Sequence, residues 1–326
     1  MIRDTLISSP HVALNGFKLR CPRCSAPFEW SEKQEESLLC VECHFPMSQK
    51  DRIWRALPVE RAAYYARFIK DYEAIRIAEG RGSTDGDYYL RLPFATSTDC
   101  NADQWKIRAA TYRYFKKILL PRISSNSQRV GNILDIGAGN GWLSYRLSQA
   151  GMVAVAIDLL TNDLDGLGAA RHYDTCLKHS FLRIQAESDR LPFYDAQFDA
   201  VIFNASFHYA ENFLRTLHEA LRCLRPEGMI IIADSPWYAH EDSGWKMLAE
   251  KRSRFFNRFG IFSDSIRSQE FLTDERLNQL AQNLGICWER HTPFYGLRWS
   301  LRPLIAKLKG HREPSTFRIY VAKKPA

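Results

Sequence analysis

From residue 132 onward, short apolar runs alternate with stretches whose apolar positions recur every three or four residues. Runs that short suit buried strands, and the intervening period suits helices, so the pattern predicts a parallel sheet covered on both faces. The predicted strands are "NILDI", "VAVAID", "FLRIQA", "FDAVIFN", "MIIIAD", "ICWER" and "FRIYVAKK". Helices are predicted at 141–150, 164–173, 211–224 and 273–284. Upstream, residues 58–79 read as a helix with Pro58 at its start and Gly80 beyond its end. A second covers 102–120 and is expected to stop at Pro121, after which "RISSNSQRVG" reads as a polar linker. No internal repeat or low-complexity segment interrupts this order.

The 326 residues exceed one ordinary domain, and 45% apolar with 13% aromatic content supports a large core. No apolar run reaches bilayer length, and the first twenty residues lack the apolar stretch of a secretory signal. The expected compartment is the cytoplasm. The net charge of +8 is uneven: residues 251–326 hold fifteen Lys and Arg against six Asp and Glu, a local +9. Such a stretch suits an anionic partner, nucleic acid or membrane phosphate, or else a solvated surface.

Four of the eight cysteines lie in two pairs, Cys21-Pro-Arg-Cys24 and Cys40-Val-Glu-Cys43, with fifteen residues between. Each pair offers two thiolates from one tight turn, and two pairs joined by a hairpin complete a tetrahedron around structural Zn²⁺. The expected organisation is a zinc ribbon over 1–50, a helical connector over 51–125 and the main domain over 126–326. Cys100, Cys176, Cys223 and Cys287 are scattered and receive no role.

"NILDIGAGNGW" is a strand running into a glycine turn and then a helix. Its glycines permit positive φ and close backbone approach to a ligand. A dinucleotide turn calls for glycine at 142, which is Trp142, and a phosphate loop calls for Gly-Lys-Ser/Thr, which is absent. Asp135, two residues before the turn, invites a ligand with a positive amino group. S-adenosylmethionine (SAM) meets these constraints, its carboxylate facing backbone amides and its ammonium facing Asp135. Asp158, 21 residues after Gly137, stands where an acid holds ribose hydroxyls. Glu187 and Ser188, closing the third strand, are placed to read the adenine edge.

"LDIGAGNG", "AIDLL", "AESDRLPF", "FNASFHY" and "LRCLRPEGMIIIAD", in that order, resemble the class I SAM-dependent methyltransferases, particularly the ubiquinone- and menaquinone-biosynthesis C-methyltransferase type (methyltransferase type 11). The resemblance spans roughly residues 130–235 and implies a Rossmann-like seven-stranded sheet. It also implies that Gly137, Ala138 and Gly139 contact the methionine end, Asp158 the ribose, Leu159 the adenine face, and Glu187 with Ser188 the base edge. The family often has Asp at the position of Glu187. "HFPMSQKDRIWRALP" resembles the end of zinc ribbons that precede some bacterial methyltransferase domains.

Methyl transfer needs alignment of nucleophile, methyl and sulfur, and a base only where the nucleophile carries a proton. Asn204, ending the fourth strand, is a candidate to orient acceptor or cofactor, and His208 to take a proton; a packed histidine is the plainer role. An insertion at about 236–272 is expected, with Trp237 and Tyr238 at the mouth of a lid or simply packing it. Residues 297–313 place Leu297, Leu301, Leu304, Ile305 and Leu308 on one helical face and Arg298, Arg302, Lys307 and Lys309 elsewhere. Such a helix docks on membrane or nucleic acid, or caps the sheet, with Pro303 shortening or kinking it. Three functions follow: methylation of a small-molecule or lipid-like acceptor with peripheral membrane contact, methylation of an RNA base, or a non-catalytic zinc-ribbon module on a methyltransferase scaffold.

Overall fold

The computed structural model describes residues 12–32, 35–125, 130–260 and 265–325. Within the expected regions, the start of the ribbon (1–11), linker residues 126–129 and insertion residues 261–264 lie outside the described residues.

A two-residue hairpin, β1 (Ala13–Leu14) and β2 (Phe17–Lys18), leads into an antiparallel meander of β3 (Phe28–Trp30), β4 (Ser37–Cys40), β5 (Pro46–Lys50) and β6 (Ile53–Arg55). The connector follows as α1 (Val59–Ala78), α2 (Gly86–Arg91), α3 (Ala102–Tyr114), a π-turn at Phe115–Leu119 and α4 (Leu120–Ser125). The helix predicted to stop at Pro121 therefore continues past it. Pro121 falls in the first turn of α4, where no N–H is required of it, and the wider π-turn makes the join.

The main domain runs β7 (Asn132–Ile136), α5 (Trp142–Gln149), β8 (Val153–Asp158), β9 (Leu182–Gln185), β10 (Phe198–Asn204), α6 (Phe213–Cys223) and β11 (Leu224–Ala233). It continues with α7 (Glu241–Phe259), α8 (Asp274–Leu284), β12 (Glu289–His291), α9 (Leu297–Ser300), α10 (Arg302–Leu308) and β13 (Ile319–Lys323). The helix predicted at 164–173 is instead a 3₁₀ segment over Leu167–Cys176. The Asn162 side chain accepts from the amides of Leu164, Asp165 and Gly166, which diverts the start of any α-helix.

All seven predicted strands pair in the order β12-β13-β11-β10-β7-β8-β9, parallel except for β13, which runs antiparallel to both of its neighbours β11 and β12. The sheet is eleven-stranded rather than seven, because β6 pairs in parallel with β9 and carries β5, β4 and β3 outward. The ribbon is therefore built into the main sheet. Its Phe17 stacks on Phe198 at 4.9 Å, and Phe28, Leu38 and Met47 share one core cluster with Leu134, Val155 and Phe203. Between β7 and β10 the chain order reverses direction, which opens a crevice at their carboxyl ends.

Candidate active site and cysteine cluster

At that crevice a cavity of about 330 Å³ runs from the glycine turn to the ends of β10 and β11, within the usual range of ligand pockets. Asp135, Gly137, Ala138, Gly139, Asp158, Leu159, Glu187, Ser188, Asn204 and His208, all read from sequence, line it.

Gly137 turns the chain out of β7 with φ +72°, and an added Cβ would lie 2.2 Å from the Ser206 Cβ. The turn holds its own amides: Gly137 N and Ala138 N donate to Ile157 O at 2.8 and 2.9 Å, and Gly139 N donates to Asp158 Oδ2 at 2.8 Å. These three donors, expected to face a carboxylate, are already committed. The turn thus provides close approach, while an anion needs another partner.

Three carboxyl groups at the cavity, Asp135, Asp158 and Asp234, are held well above their ordinary range. Asp135 is buried; Oδ2 accepts from Ser144 Oγ at 2.8 Å, and Oδ1 has no hydrogen-bond partner among the described residues. Burial pushes its pKa up to about 7, with nearby Asp158 adding to the shift. Burial likewise raises Asp158 to about 6, although the amides of Leu160 and Gly139 oppose it. Asp234, just past β11, was not singled out from sequence. Its Oδ1 accepts from Thr111 Oγ1 at 2.6 Å, Oδ2 has no hydrogen-bond partner among the described residues, and burial raises its pKa to about 6. Asp234 and Ala205 both hold non-glycine left-handed backbone beside the cavity, with φ of +52° and +57°. Strain of this kind collects at functional sites.

The connector supplies the facing wall, which sequence reasoning missed. Tyr65, Phe68, Tyr72 and Arg76 descend α1 at steps of three or four residues and line the cavity. That stripe was visible in "RAAYYARFIKDYEAIR" but is equally what a core-facing helix shows. Arg61 clamps Glu187 through Nη2 at 2.7 Å and Nε at 2.9 Å, with Tyr65 OH donating at 3.2 Å. Arg76 pairs with Asp165. Arg108 of α3 also lines the cavity and, among the described residues, forms no ion pair. Burial, with Arg81 and Arg76 nearby, pushes its pKa below the ordinary value.

His208 sits in a 3₁₀ turn after β10, with Nδ1 3.3 Å from Ser235 Oγ. Burial lowers its pKa to about 4, so the imidazole is neutral at pH 7. Trp237 and Tyr238 do not reach the cavity. Trp237 Nε1 donates to Asp274 at 3.0 Å under the Arg318 guanidinium, and Tyr238 packs edge-on against Phe271. They pack the insertion and form no mouth.

The four ribbon cysteines converge, all sulfur atoms lying within 4.8 Å of one another. Cys21 and Cys43 are 3.6 Å apart and Cys24 and Cys40 3.4 Å, close to the edge of about 3.8 Å in a tetrahedron with Zn–S bonds of about 2.3 Å.

Among known proteins, residues 134–232 match the family described as a methyltransferase domain. An uncharacterized methyltransferase of Mycobacterium tuberculosis is 31% identical over 35% of this chain and 42% of its own length. A malonyl-[acyl-carrier protein] O-methyltransferase of Buchnera aphidicola is 29% identical over 31% of this chain and 38% of its own. A ubiquinone/menaquinone biosynthesis C-methyltransferase of Brucella anthropi is 25% identical over 38% of this chain and 48% of its own. The matches thus span less than half the length of these relatives. Residues 134–232 are thus similar to the methyltransferase-domain family, and the glycine turn, Asp158 and Glu187 fall inside that stretch.

Proposed function

We propose that the chain is a SAM-dependent methyltransferase acting on a small-molecule or lipid-like acceptor. The observation that carries this reading is the buried oxygen of Asp135, without a partner among the described residues, beside a glycine turn whose amides already donate within the protein. That combination suits an ammonium and gives a diphosphate no cradle. Asp158 accepts the ribose hydroxyls, Leu159 packs on the adenine, Ser188 reads the base edge, and Glu187, held by Arg61, fixes that end of the cavity. Arg108 takes the carboxylate in place of the committed amides.

Bound SAM supplies a sulfonium-activated methyl group, whose carbon leaves sulfur as the acceptor bond forms. The protein's part is to align the two molecules and exclude water. Asn204, at the end of β10, orients the acceptor. His208, neutral at pH 7, accepts a proton where the acceptor carries one. One relative is named an O-methyltransferase of malonyl-[acyl-carrier protein] and another a C-methyltransferase of ubiquinone/menaquinone biosynthesis, so the shared motifs do not choose an acceptor. The RNA reading is the weaker one: ribbon residues Arg20 and Arg23, which would meet phosphates, are paired with Asp195, Glu219 and Glu60. The non-catalytic reading leaves the raised carboxyls around the cavity without a use. Cys21, Cys24, Cys40 and Cys43 hold one structural Zn²⁺. No disulfide joins these cysteines to one another or to the other four. Incubating the protein with labelled SAM and a fractionated extract tests the function. Label in lipid or small solutes is expected; label confined to RNA, or none at all, contradicts it.

Arg108→Gln is expected to weaken S-adenosylhomocysteine binding about tenfold, while binding of 5′-methylthioadenosine, which lacks the amino-acid end, stays unchanged. Equal loss for both ligands, read by calorimetry, would assign Arg108 to the scaffold. A pH series provides a further check. The ammonium requires ionised Asp135, so S-adenosylhomocysteine affinity is expected to level off above about pH 7 and fall below it. Asp135→Asn removes this slope. The ligand-free fold shows the opposite trend from these groups. Asp135, Asp158 and Asp234 keep protons that the unfolded chain releases, so their contribution is present at pH 4 and lost towards pH 7.

A further inference from the structure

The amphipathic segment does not cap the sheet. α9 and α10 form a strap broken at Leu301, with Pro303 in the first turn of α10, and the strap's apolar row faces outward. Leu297 is 75% exposed and Leu308 78%, with Phe294, Leu301, Leu304 and Ile305 also exposed. A contiguous apolar row of this kind marks an interaction surface. The strap is anchored from behind: the Trp299 ring stacks on Phe317 at 5.5 Å, Arg302 lies 3.9 Å over Trp299, and Arg312 pairs with Glu250 at 2.7 Å. Phe317 in turn lines the cofactor cavity, so one pair of rings separates strap and cavity.

Cations flank the row. Arg298, Arg302, Lys309 and Arg312 line a surface recess in which Glu250 is the one acid. Arg298, Lys307 and Lys309 form no ion pair among the described residues. An apolar row bordered by unpaired cations is complementary to an anionic lipid surface, which takes leucines at the acyl boundary and Lys or Arg at headgroup level. RNA answers the cations but leaves the leucines in water. A second copy would set two basic rims against each other.

We propose that the α9–α10 strap docks the protein on an anionic lipid surface and presents the cavity to an acceptor resident there. The second half of this statement rests on the methyl-transfer reading, whereas vesicle binding does not. The test is co-sedimentation of the full chain with vesicles of phosphatidylcholine alone or mixed with phosphatidylglycerol. Binding to the mixed vesicles is expected, weakened by salt and lost by more than about tenfold in Leu304→Asp/Leu308→Asp. Arg298→Gln/Lys309→Gln is expected to reduce both binding and its salt dependence. Affinity for S-adenosylhomocysteine stays unchanged in these variants, reporting that the fold and cofactor site persist. Absence of vesicle binding, or binding untouched by the Leu304/Leu308 variant, overturns the proposal. So does a dimer that this variant splits, or an RNA shift lost only in the charge variants.

Discussion

Gly137→Ala is expected to lower affinity for S-adenosylhomocysteine by tenfold or more and to reduce the melting temperature. Two costs add at this position. The backbone is left-handed, at about 1–2 kcal/mol for a residue with a Cβ, and that Cβ would sit 2.2 Å from the Ser206 Cβ. Overpacking of this kind costs about 1–3 kcal/mol more. Ser206 cannot swing away freely, because its hydroxyl donates to Ile136 O at the end of β7. Relief therefore comes from moving the turn, which carries Gly139 away from Asp158. Gly151→Ala provides the control: φ is +82° but nothing lies within 4 Å of the added atom. It should cost stability alone and leave affinity within about twofold. Adding Ser206→Gly to Gly137→Ala should restore part of the lost affinity. Equal effects of the two alanine variants on affinity would show that the close approach at Gly137 is unimportant.

Cys40→Ser is expected to remove bound zinc and to destabilise the whole protein by roughly 4 kcal/mol or more. Elemental analysis should find about one zinc per chain before the substitution and none after. The ribbon continues the central sheet through the β6–β9 pairing, and Leu38 and Met47 belong to the same core as Leu134 and Phe203. Cys40 itself ends β4, and its amide donates to Phe45 O at 3.0 Å, so the metal would fix the outer edge of the sheet. One cooperative transition at lower temperature is the expected calorimetric trace. An early, separate melting of residues 12–56 would show that the ribbon folds on its own and contributes little to the rest.

What the sequence made legible follows from how local each signal is. The strand-turn-helix at 132–142 and the two cysteine pairs are short-range patterns with few alternatives. The structure accordingly places the glycine turn on the cavity and brings the four sulfur atoms together. Seven strands were readable because each is a short, closed apolar run. The parallel pairing of Trp54 with Ile184 joins segments far apart in sequence, and no local pattern announces it. The α1 wall was hidden for another reason. Arg61 and Tyr65 sit on a helical stripe indistinguishable from one that packs a core, and their partner Glu187 lies 126 and 122 residues away. Trp237 and Tyr238 show the converse, since aromatic residues in an insertion look like a lid until their packing is seen. For residues 297–313 the periodicity was plain, but burial depends on a neighbour that sequence does not name. Among the described residues no element covers the row.

The central claim is that the cavity holds a zwitterionic adenosyl amino acid and no dinucleotide. Titration calorimetry of the purified protein with S-adenosylhomocysteine and, separately, NADH tests it most directly. Binding of one S-adenosylhomocysteine per chain with no heat from NADH is the expected result. Tight NADH binding with S-adenosylhomocysteine silent would contradict it.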